Sequence, residues 1–129
     1  MALSNSRVVV DTNMLLAITQ FKVDVFSLIK EKLGGKTEFF ATKGILEELT
    51  KIGKAGEKQR REIELIKELM EKNKVELTAV DVKNTDDGLV ELSKKGFYVA
   101  SNDKALRKRI KSLGGQNIYL RRKKLVEIE

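Results

Sequence analysis

The 129-residue chain contains no cysteine and no histidine. Those absences exclude a disulfide framework, a zinc ribbon, a thiol nucleophile, an imidazole base and a Ser-His-Asp triad. Catalysis by such a chain must rest on carboxylates, Lys, Tyr, hydroxyls, or a hard cation held by oxygen ligands. No apolar run approaches the ~18 residues that a membrane span needs, and the N-terminus lacks the charged-then-apolar layout of a secretory signal. The expectation is therefore a cytoplasmic protein away from the membrane. Proline is absent as well. That counts against a thermostable chain, whereas the lack of Cys and the abundance of Lys and Glu count towards one.

What is present describes a globular chain. Hydrophobic residues make up 41%, enough to place it outside the disordered class, and its length suits a single domain over residues 1–129. The net charge is +7, and its distribution says more than its size. From Lys104 to Lys124 there are nine Lys or Arg residues and no Asp or Glu. A stretch of one sign that long points to a polyanion, nucleic acid above all; otherwise it is a solvated helix face followed by a charged edge strand.

The chain is organised around Arg7-Val8-Val9-Val10-Asp11-Thr12-Asn13-Met14. Val8 to Val10 form a β-branched run suited to a strand buried on both faces of a parallel sheet. Thr12 and Asn13 then cap an apolar helix reaching Gln20. Asp11 thus stands at the carboxyl end of a strand, beside the crevice where open α/β sheets bind ligands. Helical periodicity resumes through Val25, Leu28, Ile29 and Leu33 behind an Asp24 cap, and stops at Gly34-Gly35. Thr37 to Ala41 reads as a second strand. Thr42 caps a helix carrying Ile45, Leu46, Leu49 and Ile52, and Glu57 to Lys72 is the clearest amphipathic helix. Val75 to Val80 alternates like a strand, and Thr85 caps a helix from Asp86 to Lys95. Strand 97–100, helix 103–113, strand 117–120 and a short strand at 125–128 follow. Strands alternating with helices at short spacing predict parallel β-α-β crossovers and a three-layer α/β/α sandwich.

Several acids fall where helices meet the rim of such a sheet. Asp103, in Ser101-Asn102-Asp103, repeats the arrangement at Asp11: buried strand, polar triplet, helix. Asp86 and Asp87 open a helix, where the dipole accounts for one acid better than for two. Glu47 and Glu48 lie in the helix after the second strand, one facing the sheet edge and the other facing water. Carboxylates gathered without His or Cys repel one another and call for Mg²⁺ or Mn²⁺. A divalent ion so held binds a phosphate oxygen and activates water, and basic residues nearby would grip a phosphodiester backbone.

Val8-Val9-Val10-Asp11-Thr12-Asn13, Ile45-Leu46-Glu47-Glu48-Leu49, Thr85-Asp86-Asp87-Gly88-Leu89-Val90 and Val99-Ala100-Ser101-Asn102-Asp103 resemble, in order, the acidic motifs of PIN-domain ribonucleases. Phe21 to Phe26 and Ile118-Tyr119-Leu120-Arg121 are most similar to small archaeal PIN proteins related to small-subunit rRNA-processing endonucleases. The resemblance implies a parallel five-stranded sheet in the order 3-2-1-4-5, a Mg²⁺ or Mn²⁺ site and endoribonuclease activity. Carried over by position, it makes Asp11, Glu48, Asp87 and Asp103 the catalytic acids and metal ligands, with Asp86 the alternative in the third motif. Thr12, Asn13, Ser101 and Asn102 match polar positions that orient ligands, water or the acids. Unlike the zinc-ribbon branch of the family, this chain has no Cys.

The leading expectation is a metal-dependent endoribonuclease acting in rRNA or other RNA processing. Lys43, Lys104, Arg107, Lys108, Arg121, Arg122, Lys123 and Lys124 are its expected RNA contacts. A toxin-type PIN ribonuclease with an antitoxin partner and a non-catalytic RNA-binding or ribosome-assembly protein are the alternatives. A response-regulator receiver and a haloacid-dehalogenase phosphatase fit less well: the first needs a Lys and an acidic pair this chain does not supply, the second a second Asp where Asn13 stands. Homodimers are common in the family, and the apolar residues Phe21, Val23 and Phe26 are the candidate surface.

Overall fold

The computed structural model describes residues 5–80 and 84–129. The chain begins with β1 (Asn5–Val10), α1 (Thr12–Gln20), α2 (Val25–Leu33), β2 (Lys36–Ala41), α3 (Lys43–Gly53) and α4 (Glu57–Lys72). It continues with β3 (Glu76–Leu77), α5 (Thr85–Lys94), β4 (Tyr98–Ala100), α6 (Lys104–Ser112), β5 (Gln116–Arg121) and β6 (Leu125–Ile128). The strands form one sheet in the order β3-β2-β1-β4-β5-β6. The expected 3-2-1-4-5 parallel arrangement is therefore present, with a sixth strand added. β6 pairs antiparallel with β5, Ile118 facing Ile128 and Arg121 facing Leu125.

Val8, Val9 and Val10 are buried because β1 has a parallel neighbour on each side, β2 and β4, and helices above and below. Right-handed crossovers put those helices on opposite faces. From β1 the chain steps outward to β2 and β3, then returns across β1 to β4 and β5, so α1 to α4 cover one face and α5 and α6 the other. Phe26 and Phe39 meet edge to face at 4.9 Å between ring centroids, and each is fully buried, contributing about 2–3 kcal/mol through lost apolar hydration.

Two elements differ from the sequence reading. The third strand is not Val75–Val80 but only Glu76–Leu77. It lies at the sheet edge with both residues exposed, and after it the backbone bonds back once more, Thr78 N–H to Ala41 O at 2.9 Å. Phe26, a candidate surface residue, is core. Among the described residues no helix is long and apolar enough to cross a membrane.

The reversal of strand order falls between β1 and β4, which is where doubly wound sheets bind ligands. Val10 pairs with Ala100. Beyond that pair, Asp11 N–H donates to Ala100 O and Ser101 N–H to Ile118 O, both at 2.9 Å. The two acid-bearing turns thus leave neighbouring strands at one level.

Candidate active site

Asp11 is buried at 6% exposure and caps α1. Its Oδ1 accepts from Thr12 N–H at 2.8 Å. Its Oδ2 accepts from the Ser101 hydroxyl at 2.8 Å and from Asn13 Nδ2 at 3.4 Å. The same Ser101 oxygen accepts from Asp103 N–H at 3.2 Å, so one buried hydroxyl joins the two acid turns. Asn13 ties them again, its Oδ1 accepting from Asn102 N–H at 2.9 Å. Asp103 caps α6 through Oδ1, which accepts from Ala105 and Leu106 N–H at 2.9 and 3.2 Å. Its Oδ2 has no protein donor among the described residues. Both acids therefore cap helices, and the α1 cap is Asp11 rather than the expected Thr12 or Asn13.

Burial raises the Asp11 carboxyl from 3.8 to about 6. Hydrogen bonds from Ser101 and Thr12 pull it down, while the negative charges of Asp86 and Glu48 push it up further. Asp86 is raised too, first by partial loss of hydration and then by the charges of Asp103 and Glu48, against a smaller opposing pull from Arg109. Asp86 thus shares a field with Asp11, Glu48, Asp103 and its neighbour Asp87, acids from four different stretches of chain.

Glu48 is fixed by a close approach of α3 and α5. Its Oε1 accepts from the Thr85 hydroxyl at 2.7 Å, and Gly44 makes room for that hydroxyl, since a Cβ there would stand 2.6 Å from Thr85 Oγ1. The α5 cap is Asn84 rather than Thr85: Asn84 Oδ1 accepts from Asp87 N–H at 2.8 Å. Glu48, Asp86, Asn84 and Lys51 help wall a cleft of about 600 Å³.

Asp87, the acid matched by position, lines the same cleft together with Arg109, but both its oxygens are taken by protein donors. Its Oδ1 accepts from Arg109 at 2.7 Å and its Oδ2 from Asn84 Nδ2 at 3.0 Å. It pairs with a cation, while Asp86 has no ion pair among the described residues and feels the charges of Asp103, Glu48 and Asp87. Glu47 is the wet member of its pair, exposed beside Lys43 at 4.0 Å.

The basic residues also divide. Arg107 lies 3.7 Å over the Tyr119 ring and its Nε donates to Glu129 at 3.1 Å, so it packs α6 onto the last strands. Arg121 lies 3.9 Å from Glu127. Lys104, Lys108, Arg122, Lys123 and Lys124 are exposed, and no ion pair involves them among the described residues. Sequence reasoning missed Gly44, Asn84 and Arg109. A glycine in a helical first turn was a signal of close approach; the other two carried none.

The donor chemistry fits a hard divalent cation: carboxylate oxygens only, mutual repulsion among them, and a buried Thr12 Oγ1 with no hydrogen-bond partner beside Asp11. Among the described residues, however, no three acids are gathered tightly enough to chelate one ion by themselves.

The sequence profile of the PIN-like domain family matches residues 8–123. A solved structure of the PIN domain endonuclease Utp24 is 25% identical, with a TM-score of 0.75, covering 95% of this chain and 90% of that one. A domain of a functionally unknown protein from Methanocaldococcus jannaschii DSM 2661 shares the fold at 14% identity and a TM-score of 0.62, over 90% of this chain and 91% of that one. No curated protein matches the sequence.

Proposed function

The chain belongs to the PIN-like domain family, whose members are generally metal-dependent nucleases, and from that premise we propose that it is an endoribonuclease acting in RNA processing. The observation that carries this reading is the Ser101 hydroxyl joining Asp11 to the Asp103 turn, with Glu48 and Asp86 in the same field. Likeness to a PIN domain endonuclease supports it.

Asp11 and Asp103 would hold Mg²⁺ or Mn²⁺ directly, with Asp86 and Glu48 reaching it through water, which suits acids too spread to chelate alone. Asp86 replaces Asp87 in this role, because Asp87 is committed to Arg109. Such an ion supplies the Lewis acid that polarises a phosphodiester and lowers the pKa of water for in-line attack. The chain's own residues do the rest. Ser101 and Asn13 hold the Asp11 carboxylate in one orientation, and Thr85 holds Glu48. Lys104 and Lys108, following Asp103 on α6, would bind backbone phosphates.

The spread of the acids favours one competing reading, an RNA-binding or assembly protein that keeps the fold without cutting. Labelled RNA incubated with Mn²⁺ or with EDTA separates the two. Cleavage that requires Mn²⁺ and is lost in Asp11→Asn is the expected result. RNA binding without cleavage, together with no Mn²⁺ uptake by calorimetry, would leave the binding reading in its place.

A further inference from the structure

An exposed aromatic at the end of α1 meets the tip of the β5–β6 hairpin. Phe21 is 37% exposed, while Val25 and Phe26, which follow it, are buried. Lys123 Nζ stands 5.1 Å from the Phe21 ring centroid. The hairpin tip has an unusual backbone for its residues: Arg122 and Lys123 have φ of 54° and 60°. Asn and Gly are the ordinary choice for that conformation, which a side chain with a Cβ disfavours. Lys22, next to Phe21, also has a φ of 54°. Three of the four non-glycine residues with positive φ among the described residues thus meet at this junction; the fourth, Lys74, follows α4. Strain kept at such a place points to use.

The junction is rooted in the acid site from both sides. Asp11 caps α1, whose nine residues carry the chain about 14 Å to Phe21. Asn102 holds β5 just before the hairpin turn, its Oδ1 accepting from Leu120 N–H at 2.8 Å, and the same residue bonds Asn13 at the start of α1. The turn residues Arg122 and Lys123 follow that anchor after a single further strand residue, Arg121. A strand leaving the carboxylates along α1 would reach Phe21 within a few nucleotides.

We propose that Phe21 and the Arg122–Lys123 tip form a stacking platform for single-stranded RNA next to the cleavage site; this rests on the endoribonuclease reading above. One unstacked base lies on the Phe21 ring, and Lys22, Arg122 and Lys123 take the phosphates on either side. A part-exposed ring with a lysine over it accepts a base once that lysine swings to a phosphate, and only where the base is free, as in a single strand; stacking of this kind is indifferent to sequence. Charge argues against a second copy of the chain as occupant. Lys22, Arg122, Lys123 and Lys124 have no acidic partner among the described residues, and a two-fold contact here would set like charges face to face.

The chain has no tryptophan, so F21W supplies a single reporter that keeps an aromatic face. Titration of F21W with a short single-stranded oligoribonucleotide in EDTA, where no cleavage occurs, is expected to quench its fluorescence; the same sequence as a duplex is not. F21L, which keeps the bulk without the ring, is expected to bind the single strand about tenfold more weakly than wild type by anisotropy. An unquenched F21W together with wild-type affinity in F21L, while wild type still cleaves RNA with Mn²⁺, overturns the platform and leaves the nuclease reading standing. Wild type that neither binds nor cleaves RNA removes both. A dimer in light scattering that F21L disperses would give this surface to a second copy and overturn the proposal.

Discussion

Gly44 and Thr85 stand so close that a methyl group on the first would collide with the hydroxyl of the second, 2.6 Å from a Cβ to Thr85 Oγ1. That hydroxyl is the donor that orients Glu48. Gly44→Ala should gain up to about 1 kcal/mol of helix propensity in α3 and lose about 1–3 kcal/mol to overpacking. The expected result is a net loss of stability and weaker Mn²⁺ binding. Thr85→Ala in the same chain should recover the stability but not the metal affinity. Strictly additive effects of the two substitutions in denaturation would mean that the residues do not touch.

Asp86 and Asp87 are adjacent yet have different partners. Asp86→Asn should lower RNA cleavage and Mn²⁺ affinity by about 10–100-fold, the usual cost of a group supporting a metal site. Asp87→Asn removes an exposed ion pair with Arg109 and should cost under about 1 kcal/mol in stability, with a smaller loss of cleavage. Equal losses in cleavage would return the role to Asp87.

The Asp11 carboxyl titrates near 6 in the folded chain against 3.8 when unfolded, so between those values the native state binds more protons. Stability of the metal-free protein should therefore fall as pH rises from about 4 to about 6, by roughly 2–3 kcal/mol from this group, and stay low above that. Asp11→Asn should flatten that segment of the stability curve in urea denaturation with EDTA present. Mn²⁺, which competes with the proton, should stabilise wild type more at pH 7.5 than at pH 5. A wild-type curve no steeper than the mutant's would mean the carboxyl is ionised across the whole range.

Arg107 and its neighbours on α6 should respond in opposite ways. Arg107→Ala should lower stability by about 1–2 kcal/mol, through loss of the Tyr119 stack and the Glu129 pair, and leave the salt dependence of RNA binding unchanged. Replacing Lys104 and Lys108 with Ala should barely change stability and should reduce the slope of log K against log salt by about one per cation. A reduced slope for Arg107→Ala would restore it as an RNA contact.

The strand-helix alternation and the sheet order were legible because buried β-branched runs and helix caps are local signals; Val8 to Val10 and Tyr98 to Ala100 were read nearly to the residue. Leu77 was not, since an exposed edge residue alternates like a half-buried one until the chain turns away. The orientation of β6 depends on the Arg122–Lys123 turn, whose residues give no hint of positive φ. Asp86 and Asp87 lie about 100° apart on a helix, and only the position of Arg109 on another helix separates them. The fate of Arg107 depends on Tyr119 and on Glu129, 22 residues away. A run of like charges conceals which of its members are already spoken for.

The pairing of Val10 with Ala100 also limits how a gene for such a chain can drift. Asp11 and Ser101 are separated by 90 positions but meet only because their strands align in one phase. A single codon gained or lost inside β1 or β4 would turn every later side chain of that strand to the opposite face and carry the serine away from its acid. Length variation among descendants should therefore collect in the connections outside these two strands. The three-residue β4 is the place where a frame-preserving indel would be least survivable.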